Sequence, residues 1–446
     1  MPSPAAPSTN RQVVALAVPT LGALLAEPVF LLVDAAVVGH LGTAQLAGVG
    51  IASVLLSTAV GLAVFLAYGT TAQVARSLGA GRERDALQFG VAGMWLAALV
   101  GAGLLLVGWP LAPLLVDALG GRAAEAGAAG FGVTYLRWSL LGLPGMLLVL
   151  AGTGVLRGFQ DARTPLVVAV TGAVVNTGLN LVLVLVVGWG VAGAAIGTAV
   201  TQTGMAVAFV LVVHRSARRS GGSLRFHPGH VRGAGRAGVP LLLRTAALRG
   251  AVLLTTLVAA RQGVVALAAH QVLTAIWNFL ALGLDALAIA AQALTGRALG
   301  AGDAAEVRRL TRLLLRWGLA AGAVLTVVLL VLHTLIGPLF SPDPAVRSAI
   351  AAGLVVLAVT QPLAGWVFVL DGVLIGAGDG VYLAWAQLMT LAAYVPAVVA
   401  LILWPPGGTA GLVWLWIAFA GWFMLARAIT LGLRYRSDRW LVTGAG

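Results

Sequence analysis

The chain has 446 residues, of which 60% are hydrophobic and only 9% charged, and its mean hydropathy is +1.01. A water-soluble domain carries roughly a quarter charged residues, so these values exclude a soluble globular protein and make lipid the solvent for most of the surface. The net charge of +13 invites a nucleic-acid reading, which the placement of the basic residues excludes.

Taken in order, twelve apolar stretches recur at about 13–38, 46–75, 88–114, 129–157, 166–188, 191–214, 238–260, 264–295, 309–335, 347–376, 382–404 and 410–434. Each can cross a hydrocarbon core of about 30 Å as a helix rising about 1.5 Å per residue. The runs are continuously apolar, without the alternation of barrel strands, so the predicted fold class is an all-α integral membrane protein. The first run is too long and too late for a cleaved signal peptide, and it is expected to remain as the first helix.

All 27 basic residues are Arg, and alternate connections hold nearly all of them. Arg76, Arg82 and Arg84 follow span 2, and Arg157 and Arg163 follow span 4. Arg215, Arg218, Arg219, Arg225, Arg232 and Arg236 fill the central connection, and Arg297, Arg308, Arg309 and Arg312 follow span 8. The opposite loops hold little beyond Arg122, Arg261 and Arg347. The positive-inside rule then predicts a multi-pass protein of the plasma (inner) membrane with both termini cytoplasmic. With no cysteine, neither disulfides nor thiolate metal sites are available. Of the six histidines only His227 and His230 are closely spaced, so no metal site and no cofactor are expected.

An internal repeat appears in two registers. At an offset of 221, Pro19 falls on Pro240 and the segment LGAG at 78–81 on LGAG at 299–302. At an offset of 218, Pro144 falls on Pro362, GVLRGFQD at 154–161 on GVLIGAGD at 372–379, and Gly193 on Gly411. Six spans per half leave the copies in the same orientation, a parallel-repeat design used by secondary transporters. The expected domains are an N-terminal six-helix bundle (1–214), a cytoplasmic linker (215–236) and a C-terminal six-helix bundle (237–446).

Ionisable side chains within a span cost at least about 2.5 kcal/mol on insertion scales and are therefore the place to look for chemistry. Glu27 and Asp34 lie two turns apart on one side of span 1. Span 7 carries Arg244 and Arg249, span 8 Asp285 and span 10 Asp371, a set whose charges can cancel by pairing. Asp34 has no basic counterpart in the first-half spans except Arg137 in the outer part of span 4. A lone carboxylate of that kind is suited to carry a proton. Asn176 and Asn180, one turn apart on span 5, can hydrogen-bond it or help to hold a cation. Pro19 and Pro28 remove backbone hydrogen bonds from span 1 and permit a helix bend.

At these residues the sequence resembles the multidrug and toxic compound extrusion (MATE) family, in particular its DinF-type branch. The resemblance rests on LLVDAAVVGHLGTAQLAGVG at 31–50, GVLRGFQDARTP at 154–165, RALGAGD at 297–303 and LDGVLIGAGD at 370–379, and it covers essentially the whole chain. It puts Asp34 at the cation-coupling aspartate of that branch, and Arg244 and Asp285 on its charged positions. It implies two six-helix bundles in a V-shaped monomeric antiporter. Such a protein binds small amphipathic, often cationic, compounds between the bundles and exports them in exchange for H⁺ or Na⁺. One departure is Asn180, where several relatives carry a second acid; this favours H⁺ over Na⁺. The runner-up is a flippase for a lipid-linked precursor, disfavoured by the scarcity of Arg in spans other than span 7. No GxSxG or HExxH motif points to an enzyme.

Overall fold

The computed structural model describes residues 9–123, 127–219 and 223–444. The first eight and last two residues of the expected bundles, residues 220–222 of the expected linker and the side chain of Arg122 lie outside the described residues. Its helices are α1 (Thr9–Gly39), α2 (Thr43–Leu62), α3 (Phe65–Gly79), α4 (Glu83–Ala123), α5 (Ala129–Gly158), α6 (Arg163–Asn180) and α7 (Gly190–Arg219). After the central connection come α8 (Pro228–Arg261), α9 (Val264–Gly300), α10 (Ala304–Phe340), α11 (Pro344–Gly376), α12 (Gly380–Leu403), α13 (Thr409–Trp416) and α14 (Met424–Arg436). Wider π-helical turns at Leu181–Val186 and Ile417–Phe423 extend α6 and join α13 to α14.

With α2 and α3 counted as one span and α13 and α14 as another, twelve helices among the described residues are long and apolar enough to cross a membrane, as the sequence predicts. Most run past the predicted ends, because their polar turns continue beyond the apolar core. Acidic caps explain several of the starts. Asp161 Oδ1 accepts from the backbone N–H of Arg163 and of Thr164, both at 3.0 Å. Asp303 Oδ1 accepts from Glu306 N and Asp343 Oδ1 from Ala345 N, each at 2.8 Å. Outward faces carry large apolar side chains such as Leu106, 73% exposed, which only lipid would cover favourably.

The repeat is written into the backbone as well as the letters. Left-handed residues end the same turns in both halves: Gly42 (φ 138°) and Gly263 (107°), Gly81 (73°) and Gly302 (80°), Gly190 (55°) and Gly408 (59°). At the fourth such pair Gly378 (φ 75°) is matched by Gln160 (φ 61°), a side chain in a region that normally favours glycine. Helix packing repeats too. A Cβ on Gly101 would come 2.6 Å from Pro144 Cα, and one on Gly322 would come 2.6 Å from Pro362 Cα. Small residues thus let α4 meet α5, and α10 meet α11, at backbone distance, the way helices associate where lipid removes the hydrophobic drive.

Two compact units result, and their limits differ from the expected domains. One spans Val18–Leu242, and the other joins the start of α1, through Ala17, to Leu243–Gly446. The reason is bonding between residues far apart in the chain. Asn10 Oδ1 accepts from Trp317 Nε1 at 3.2 Å and Thr9 Oγ1 from Arg309 Nη2 at 2.8 Å, which ties the first turns of α1 to α10. The early turns of α8 pack on the first half, where a Cβ on Gly238 would lie 2.6 Å from the Phe65 ring. Both crossing points fall within two or three residues of the repeat-related Pro19 and Pro240.

Candidate functional site

In the Val18–Leu242 unit, Asp34 is carried to the interior of the bundle by α1 and is only 2% exposed. The residue spacing on α6 brings both amides to it from one helix face, with Asn180 the last α-helical residue before the π-turn. Asn180 Nδ2 donates to Asp34 Oδ1 and, at 3.1 Å, to Asn176 Oδ1. Asn176 Nδ2 donates to Thr198 Oγ1 of α7 at 3.3 Å, and Thr198 Oγ1 donates to Asp34 Oδ2 at 3.2 Å. Four side chains from three helices thus close a hydrogen-bonded ring on one carboxylate. Asn176 and Asn180 are fully buried and Thr198 nearly so. No Arg or His pairs with Asp34 among the described residues. Neutral donors alone meet its charge.

The ring has one vacancy in its bonding. Asn180 Oδ1 is buried and accepts from nothing among the described residues. It faces Gly197, where a Cβ would sit 2.5 Å from it. Gly197→Ala is therefore expected to push the Asn180 amide off Asp34 and slow any activity that uses this carboxylate about tenfold while the protein still folds, since displacements near 1 Å are felt at a positioned site. Activity and detergent melting curves measured on the same preparation check both halves of that expectation.

Glu27 stands apart, two turns away on α1, exposed and without a hydrogen bond to the ring. Pro19 and Pro28 lie inside α1, which is continuous through both. Arg137 leaves the interior, donating through Nε to Trp109 O at 3.3 Å, with its guanidinium 6.0 Å from the Trp109 ring centre. One member of the ring and one neighbour of it escaped the sequence reading. Thr198 is one, and the buried Tyr135, directed at Ser53, Ser139 and Thr198, is the other. Their signal was weak, because a Thr on an apolar helix normally bonds its own backbone.

In the other unit Arg244 and Asp371 form a bidentate pair, with Arg244 Nε donating to Asp371 Oδ1 at 3.2 Å and Nη2 to Oδ2. Arg427 of α14, overlooked in the sequence, brings Nη2 to 3.5 Å from Asp371 Oδ2 and lies 5.8 Å from the Phe368 ring centre. One carboxylate is thus held by two buried guanidiniums. Asp285 is half-buried on α9 and Arg249 exposed on α8. Applying the repeat offsets to the ring carries Asp34 to Thr255, Asn176 to Tyr394 and Thr198 to Trp416. Thr255 Oγ1 and Tyr394 Oη are indeed bonded at 2.7 Å, with Phe419 packed on both aromatic rings. The second copy keeps the neighbourhood and loses the charge.

Twelve spans in duplicated halves, with ionisable side chains buried in both, are the design of a membrane transporter. The MatE family model matches the chain twice, at residues 19–182 and 240–401, once per half. The chain belongs to this family, the multidrug and toxic compound extrusion transporters. It is 30% identical to Protein DETOXIFICATION 44, chloroplastic, of Arabidopsis thaliana over 97% of its length and 84% of that protein. It is 29% identical to DNA damage-inducible protein F of Escherichia coli, over 83% of the chain and 81% of the relative. Among solved structures, a mutant of the Vibrio cholerae MATE transporter VcmN superposes with a TM-score of 0.86 at 22% identity, covering 97% of this chain and 98% of the other. A MOP superfamily transporter from Pyrococcus furiosus gives 0.85 at 21% identity over 96% of each chain.

Proposed function

We propose that this transporter is a DinF-type antiporter of the plasma membrane, with both termini cytoplasmic, that exports amphipathic, often cationic, compounds in exchange for H⁺. The observation that carries the reading is the closed ring of neutral donors on buried Asp34. Uptake of a proton turns that carboxylate from an acceptor into a donor. The free Asn180 Oδ1 is then the natural acceptor, reached by a half-turn of the amide. That turn exchanges the Nδ2 bond to Asp34 for one donated by the carboxyl and breaks the bond to Asn176, so the ring re-forms in a second arrangement. Protonation thereby acquires different energies in two arrangements of the same helices, the condition for coupling. Na⁺ is the weaker alternative, because one carboxylate with amides gives a hard cation few anionic oxygens.

The test is counterflow in proteoliposomes with a panel of cationic dyes under separately imposed H⁺ and Na⁺ gradients. Uphill dye movement driven by the H⁺ gradient alone is expected. Movement driven only by Na⁺ would refute the proton reading, and movement driven by neither would refute antiport.

A further inference from the structure

The connection between α7 and α8 is held against α4 at its described end. Trp95 Nε1 of α4 donates to Leu224 O at 2.9 Å, and the Trp95 and Phe226 rings meet edge to face at 5.5 Å. Beside them lies a small open cavity lined by Gln88 and Trp95 from α4, Ser223, Arg225 and His227 from the connection, and His230 from the first turn of α8. The two imidazoles stand 5.5 Å apart.

The connection beside this cavity is strongly basic, and the nearby acids are Glu83 and Asp85 in the first turn of α4. The chain carries no Asp or Glu between Asp161 and Asp285, while Arg215, Arg218, Arg219, Arg225, Arg232 and Arg236 fall within 22 residues. Arg225, Arg232 and Arg236 make no ion pair among the described residues. Depth points to a lipid. The 41 residues of α4 span about 60 Å and overshoot a hydrocarbon core of about 30 Å at both ends, so Trp95, about 18 Å from its start, falls near the headgroup level. Trp95 and Phe226 are 38% and 45% exposed, as interfacial aromatic anchors are.

We propose that this cavity binds the phosphate of an anionic phospholipid in the leaflet facing the α7–α8 connection. Arg225 offers a planar fork to the phosphate oxygens, Gln88 and Ser223 add neutral donors, and the Trp95–Phe226 pair meets the glycerol and upper acyl chain. A free phosphate would have no use for that aromatic rim.

Native mass spectrometry of the full chain, in micelles doped equally with phosphatidylglycerol and phosphatidylcholine, tests the site without reference to transport or its coupling ion. Preferential retention of phosphatidylglycerol is expected. Arg225→Gln should lower it about fivefold, the effect of one basic residue at an anionic surface, while Arg225→Lys keeps most of it. Arg436→Gln with Arg439→Gln removes two charges elsewhere and should leave it unchanged. Equal retention of the two lipids, an equal fall in that control, or full displacement by inorganic phosphate would each overturn the proposal.

Discussion

Asp34→Asn is expected to reduce dye efflux driven by an imposed pH gradient to the level of protein-free liposomes. The substitution preserves shape and leaves an amide able to bond Thr198 and Asn180, so the fold should survive and the loss should be specific. The magnitude follows from the driving force. A gradient of two pH units supplies about 2.7 kcal/mol per exchanged proton, about a hundredfold in substrate accumulation, and a side chain that cannot ionise transmits none of it. Downhill exchange of substrate, which needs no proton, should persist in the same vesicles. Wild-type efflux in the variant would remove Asp34 from the coupling step.

The second large effect belongs to stability. Asp371→Asn takes the shared carboxylate from between Arg244 and Arg427, both about 5% exposed. Breaking a buried pair by removing one partner costs about 3–5 kcal/mol, since the remaining charge stays desolvated. The variant should melt well below wild type in detergent, by size-exclusion chromatography after heating. Arg427→Met removes the longer contact and keeps the bidentate pair, so it should cost clearly less. Equal melting of Asp371→Asn and wild type would show that other partners carry the two arginines.

Much of this was legible in the letters because the membrane imposes coarse, additive rules. Span number, all-helical class and duplication follow from run length and constant offsets, and the family model's two matches repeat the offset of 221 at their starts. Asp34, Asn176 and Asn180 could be singled out because a carboxylate in a span is costly and two amides at helical spacing share a face. Thr198 and Arg427 could not. Which face of α7 turns to α6 depends on close approach at Gly197, and Arg427 sits near a helix end where arginines usually snorkel. Even the missing charge of the second copy was recoverable in principle, since the same offsets map Asp34 to Thr255. The limits of the units were not. They depend on hydrogen bonds between residues 300 and more positions apart.

Those distant bonds set an order of events during synthesis. When α1 emerges and enters the bilayer, Thr9 and Asn10 have no seat, because Arg309 and Trp317 are translated some 300 residues later. The first helix must therefore wait, lodged beyond Val18 in its own half and loose at its start, until α10 is inserted. A ribosome stalled before α10 would display an N-terminal segment open to proteases, and its protection would report completion of the second half.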